Sequence, residues 1–200
     1  MGSMDLRQPV VCLASVSPRR RELLTQIGVP HKVVGADIDE TVQPGEMPRA
    51  YVMRMARQKA LAVRDRGEAL PVLAADTTVV LDDVIYGKPR DRDDGVAMLQ
   101  RLSDRTHEVL TAVGIADARG VGLRLNVSSV RFRKLTPEEC SAYWETGEPH
   151  DKAGGYAVQG AAAVFIEALS GSYSGVMGLP LFETAELLRS AGVAYWRRPD

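Results

Sequence analysis

The sequence predicts a mixed α/β domain, a sheet of parallel and antiparallel strands flanked by helices. Strand-like apolar runs alternate with amphipathic stretches at both ends of the chain, the pattern of strand–helix–strand units. Between them, two long β-patterned runs flank Asp117-Ala118-Arg119-Gly120, a tight-turn tetrapeptide that predicts an antiparallel hairpin. An antiparallel pair in the middle favours a mixed sheet over a doubly wound parallel one. Two hundred residues suit one domain with an ample core.

Each element has a local reason. Val10 to Ala14 is a short apolar run and reads as a buried strand. Ser15-Val16-Ser17-Pro18 offers capping hydroxyls and a proline suited to a first helical position, and Leu23, Leu24 and Ile27 form the apolar face of the helix that Gly28 stops. His31 to Ala36 reads as a second strand. Asp37 to Pro48, acidic and broken by Pro44, Gly45 and Pro48, reads as a loop. Arg49 to Arg66 is helical up to Gly67, with Val52, Ala56, Ala60 and Val63 as its buried stripe. Val72 to Leu81 is β-branched and apolar, one strand or a bent pair, and Asp82-Asp83 turns the chain.

Gly87-Lys88-Pro89-Arg90 is a second loop, followed by a helix from about Asp93 to Leu102. The hairpin strands run from His107 to Ala118 and from Gly122 to Leu135. Thr136-Pro137-Glu138-Glu139 is a capping box with proline in the first turn, starting a helix that reaches Thr146. Glu148 to Gly155 is polar loop, Ala161 to Leu169 is strand-like, and Leu179 to Ala191 is a last amphipathic helix.

Composition removes several function classes. A net charge of −1 gives no uniform field for nucleic acid or anionic membrane, so any anion site is local and no stable nucleic-acid complex is expected. Cys12 and Cys140 are too far apart for a metal-ligand spacing or a disulfide framework, and point to a reducing compartment. His31, His107 and His150 are equally scattered, which argues against zinc. No apolar run reaches spanning length and no signal peptide is visible, so the chain is expected to be cytoplasmic. Met1-Gly2-Ser3 reads as a cloning remnant, with Met4 the natural start of a domain covering 4–200; Leu6 breaks a myristoylation signal. No G-x-G-x-x-G follows the first strand, and Gly87-Lys88 lacks the lead of a P-loop.

The chemistry concentrates in four places. Arg19-Arg20-Arg21 puts three cations where a helix macrodipole is already positive. At about 100° per residue, Arg19 and Arg20 lie near the Leu23 face and Arg21 points away. With Ser15, Ser17 and free backbone N–H groups they form a phosphate cradle. Lys59 falls in the middle of its helix's buried stripe, where an ammonium needs a carboxylate or a bound anion. Asp76, before Thr77 and Thr78, interrupts an apolar strand near its expected end and is placed to hold a divalent cation or polarise water, with nearby cations expected to lower its pKa. Asp37, Asp39 and Glu40 are further carboxylates, and Lys88 and Arg90 further cations if their loop faces the same cleft. Together these fit metal-assisted chemistry at a phosphoanhydride and leave open which bond is cut.

The segments LASVSPRRRELL, ARQKA, LAADTTVV, GKPRD, DKAGGYAVQG and GSYSGVMGLPL resemble, in order and spacing, those of the Maf family of nucleoside triphosphate pyrophosphatases, close to its dTTP/UTP-hydrolysing branch. The resemblance runs from about Val10 to Leu188. It implies an elongated fold with a curved mixed sheet and two lobes around a nucleotide cleft, related to inosine triphosphatase, and commonly a homodimer. It implies hydrolysis of an NTP to NMP and pyrophosphate with magnesium or manganese. Carried over by motif, Ser15, Arg19 and Arg20 hold phosphates, assisted by Lys59 and Lys88. Asp76 is the proton acceptor, and Glu40 is an acidic position for metal or catalysis. Arg19, Thr77 and Gln159 bear on the choice of pyrimidine. Gln58 stands where relatives often carry Glu, removing one possible partner of Lys59. Two other readings compete: a nucleotide- or RNA-binding regulator without turnover, and another phosphohydrolase or nucleotidyltransferase. Paired carboxylates beside phosphate speak against a pure anion binder.

Overall fold

The computed structural model describes residues 8–196. The expected remnant Met1-Gly2-Ser3 and the extreme ends of the 4–200 span lie outside the described residues. One seven-stranded mixed sheet organises the chain. Its parallel half comprises β1 (Val11–Leu13), β2 (His31–Val33) and the first residues of β3 (Val72–Leu81). The crossovers carry α1 (Pro18–Gln26) and α2 (Pro48–Arg64). The antiparallel half runs from β3 to β5 (Thr106–Asp117), β6 (Gly120–Phe132) and β7 (Ile166–Ser170). The hairpin closes on the Asp117–Gly120 pair, with Ala118 and Arg119 as its two-residue loop.

A short β4 (Val84–Tyr86) folds back on the end of β3 after Asp82 and Asp83, both of which have positive φ. Helix α3 (Arg92–Leu102) is capped by Asp91, and α4 (Pro137–Glu145) starts with the predicted capping box, both halves of which form. The structure differs from the sequence reading at several points: β2 stops at Val33 rather than Ala36, Pro48 begins α2 rather than ending the loop, and β4 has no counterpart in that reading. The segment Ala161–Phe165 is 3-10 helix, and only Ile166–Ser170 is strand. The Glu148 carboxylate accepts from the N–H groups of Ala161 and Ala162 and from the Tyr143 hydroxyl, so a distant acid holds this run in a turn. Glu148 to Gly155, read as loop, is largely 3-10 turns, and a short helix α5 (Tyr173–Met177) precedes the last helix α6 (Leu181–Ser190).

Alternation along β3 sorts its side chains onto two faces. Val72 and Ala74 pack toward α2, against Ala60 and Val63. Leu73 and Ala75 pack toward α1 and α6, against Leu23, Leu24, Leu187 and Leu188. Leu24 and Leu188 have no exposed surface, and each such burial stabilises by roughly 1.5–3 kcal/mol. Among the described residues no helix is long and apolar enough to cross a membrane.

Candidate active site

The far edge of β3 is covered in two pieces. β1 pairs with Val72 and Leu73, and β4 pairs with Val79 to Leu81, while residues 74–78 have no strand neighbour on that side. A cavity of about 640 Å³ occupies this gap, at the carboxyl end of β1 and the start of α1. Asp76 sits in it, in the middle of the strand rather than near its end. Ligands of open α/β sheets gather where strand order leaves such a crevice.

The α2 side of the gap carries the carboxylates. Lys59 Nζ donates to Asp76 Oδ1 at 2.7 Å and lies 2.8 Å from Glu40 Oε1. The inward lysine thus has two acidic partners, and Gln58 takes none from it: its amide oxygen accepts from Arg54 at 3.3 Å on the outer surface. Glu40 comes from the acidic loop, held down by the Tyr51 hydroxyl donating to the Glu40 carbonyl at 3.1 Å. Burial pushes the Tyr51 phenol up to about 12, and the Asp76 and Glu40 charges add to the rise. Asp76 is 6 % exposed. Its carboxyl lies above the ordinary aspartate value, because burial outweighs the opposing pull of Lys59 and Arg20. The expected lowering is reversed, since water withdrawn from a carboxylate costs more than two cations return. Among the described residues Asp76 Oδ2 accepts no protein hydrogen bond, so a desolvated, basic oxygen is left for the cavity.

The opposite side carries the arginines. Arg20 Nε donates to the Gly178 carbonyl at 2.8 Å, Nη2 to Thr77 Oγ1 at 3.2 Å and Nη1 to Ser15 Oγ at 3.4 Å. Gly178 ends α5 with φ +115°, a conformation that suits glycine and turns its carbonyl to the guanidinium. Burial pulls Arg20 down from its ordinary value, while Asp76 supports the charge. Arg20 is therefore a clasp between α1, β3 and α5 as well as a cation in the cavity. Arg19 lines the cavity with no protein hydrogen bond among the described residues, and Arg21 is exposed, as expected. Ser17 is the N-cap of α1 but makes no side-chain cap; Ser15 instead accepts from the Ser17 N–H at 3.2 Å.

Two loops close the remaining wall. Lys88 is exposed at the rim, whereas Arg90 turns away to pair with Asp94. The strap from Asp151 to Gln159 crosses the end of β3, and the Gly154 N–H donates to the Gly87 carbonyl at 3.0 Å, joining the loops. Gly154 has φ +70°, and a Cβ there would lie 2.8 Å from a Val79 methyl. Tyr156 anchors the strap through a 2.8 Å hydrogen bond to His107 Nε2. Gln159 is exposed and lines the cavity. Asp37 and Asp39 stay outside it; Asp39 accepts from the Thr41 N–H.

The nine residues assigned by the motif resemblance, Ser15, Arg19, Arg20, Glu40, Lys59, Asp76, Thr77, Lys88 and Gln159, line this one cavity, whereas the further candidates Asp37, Asp39 and Arg90 do not. Sequence reasoning missed Tyr51 and the paired Asp151 and Lys152, which line it too. A charge pair beside Gly154-Gly155 was the available signal for the latter. It also passed over Thr78, a residue of the cavity wall whose hydroxyl is buried without a hydrogen-bond partner. Five cations face three carboxylates around the cavity, an excess suited to a polyanion.

The model of one protein family, Maf-like protein, matches residues 10–191. The chain is 53 % identical over 196 residues to a dTTP/UTP pyrophosphatase of Alkalilimnicola ehrlichii, covering 95 % of this chain and 96 % of that protein. Proteins of the same description from Saccharophagus degradans and Burkholderia pseudomallei are 50 % and 52 % identical, covering 92 % and 94 % of this chain and 90 % and 96 % of their own. Among solved structures, the Staphylococcus aureus Ham1 protein aligns with TM-score 0.43 and 13 % identity over 61 % of this chain and 71 % of that one.

Proposed function

The chain belongs to the Maf family, and we propose that it hydrolyses dTTP and UTP to the nucleoside monophosphate and pyrophosphate. The observation that carries the reading is the uncovered edge of β3 at 74–78: a buried aspartate with one free oxygen, ringed by cations, in a chain about half identical to dTTP/UTP pyrophosphatases.

The reaction adds water at the α-phosphorus and breaks the bridging bond to the β-phosphate, releasing pyrophosphate. Asp76 Oδ2 accepts the proton that the attacking water loses. Its raised pKa suits that task, because a base works best when its pKa approaches the operating pH. Lys59 holds Asp76 in place through Oδ1. Arg19, Lys88 and the free edge of Arg20 neutralise the phosphates and the Ser15 hydroxyl donates to them, so that charge building on the leaving pyrophosphate meets preorganised donors. Gln159, with both an amide donor and acceptor, reads the base edge.

A divalent metal is part of the proposal. Glu40 would hold it beside Asp76, whose Oδ2 stays with the proton of the attacking water. Both already converge on one cation, Lys59 Nζ, and half-exposed Glu40 can turn toward a ligand. Among the described residues no group of three or more His, Cys, Asp or Glu side chains forms a cage. One or two carboxylates completed by substrate phosphates is the way magnesium usually binds. When bound, it would supply charge neutralisation to the triphosphate. Residence in the cytoplasm and homodimeric assembly complete the reading; two free, buried cysteines suit a reducing compartment.

The test is product analysis of the purified protein with dTTP and UTP, with and without magnesium or manganese. Pyrophosphate and monophosphate in equal amounts are expected. Orthophosphate as the first product would make it a different phosphohydrolase, and binding without turnover would make it a regulator.

A further inference from the structure

The hydroxyl of Thr77 is one link in a chain whose donor directions can be worked out. Thr77 and Thr111 face each other across β3 and β5 in direct register, with their Oγ1 atoms 3.0 Å apart. Either could donate there. But Thr111 Oγ1 also lies 2.8 Å from the Gly175 carbonyl oxygen, which can only accept. The single hydroxyl hydrogen of Thr111 is therefore committed to Gly175, and at the threonine pair Thr77 must be the donor. Arg20 Nη2, which can only donate, meets Thr77 Oγ1 at 3.2 Å. The order is thus Arg20 to Thr77 to Thr111 to the Gly175 carbonyl, with every hydrogen spoken for.

We propose that Thr111 is a positioning residue for base selection: by committing its own hydrogen to Gly175, it draws the Thr77 hydrogen inward and leaves Thr77 a hydrogen-bond acceptor only. One lone pair of Thr77 remains for the cavity, which Thr77 lines. Such an atom accepts an N–H from a ligand and repels a lone pair. The ring imide N3–H of uracil and thymine provides that donor; N3 of cytosine carries a lone pair instead. Thr111 never touches the ligand, since it has no exposed surface and does not line the cavity. Burial also keeps water from supplying an alternative partner, which is what makes the direction fixed. The inference rests on the nucleotide reading above and adds to it the source of the preference for an imide base.

Thr111→Val keeps shape and removes both the donor and the acceptor. The Thr77 hydrogen is then free to turn into the cavity and donate to cytosine N3. The ratio of kcat/KM for UTP over CTP should fall about tenfold, the worth of one net hydrogen bond. Thr111→Ser, which restores the hydroxyl, should return it to the wild-type ratio. Equal losses on UTP and CTP in Thr111→Val, with the ratio kept, would overturn the proposal and leave Thr111 a packing residue. A second measurement needs no variant. A neutron structure of the wild-type protein should place the Thr77 hydroxyl deuterium toward Thr111, and a deuterium pointing into the cavity would overturn the proposal. The hydroxyl order is readable even if the wild-type protein cleaves no nucleotide, so failure of the nucleotide reading is separable from failure of this one.

Discussion

Replacing Lys59 by methionine keeps most of the apolar stem of the side chain and removes the ammonium, with its charge and its hydrogen bond to Asp76. Glu40, half-exposed, can turn to water once its partner is gone, but Asp76 is 9 % exposed at its side chain and cannot. An uncompensated buried carboxylate costs about 3–5 kcal/mol. Asp76 can escape that cost by taking a proton, which at pH 7 and an ordinary pKa of 3.8 costs about 4 kcal/mol. The two routes are of similar size, so Lys59→Met should lose about 3–4 kcal/mol of stability at neutral pH. The sign of the pH dependence follows. Removing Lys59 raises the folded-state pKa of Asp76 further above its unfolded value. The stability gained from the protonated form is then fully present below the unfolded pKa and lost as pH rises through the folded one. The deficit should shrink by about 1.4 kcal/mol per pH unit on acidification through this window. Urea unfolding of both proteins between about pH 5 and 8 measures it. A deficit that stays constant with pH, or grows on acidification, would refute the claim that Lys59 is there to compensate Asp76.

Asp76→Asn should cut turnover by roughly 10²–10⁴-fold while nucleotide affinity survives, read as pyrophosphate release beside calorimetric binding; near wild-type turnover would pass the role of base to Glu40. The acid limb of the wild-type pH–rate profile should report a pKa above the ordinary 3.8 of aspartate, because burial raises Asp76; a limb at or below that value contradicts the assignment. Neighbouring arginines should behave differently: Arg19→Ala should weaken substrate binding with stability within about 0.5 kcal/mol of wild type. Arg20→Ala, which loses bonds to Gly178, Thr77 and Ser15, should cost about 1–3 kcal/mol in a denaturation assay. Gln159→Ala should lower dTTP and UTP turnover relative to CTP and purine triphosphates, and a uniform loss would make it a scaffold residue.

What the sequence determined by itself is everything with a short-range cause. The capping box at Thr136, the proline starts of α1 and α4, the tight hairpin turn and the α2 stripe each depend on residues within a few positions of one another. The motif series brought in nine residues that share one cavity, and the angular position of Lys59 alone was enough to show that it needed an anion. Tertiary structure decided the rest. Arg20 reaches a carbonyl 158 positions away, and no local pattern announces that bond. Ala161–Phe165 carries a strand-like composition, yet Glu148, 13 and 14 residues earlier, takes its free N–H groups and curls it. The Asp76 pKa turned on depth. Neighbouring cations could be inferred from the sequence, but the withdrawal of water that overrides them exists only once β3 is covered on both faces and left open at 74–78. Charge and spacing are properties of the chain; desolvation is a property of the packed molecule, and in this cavity it sets the chemistry.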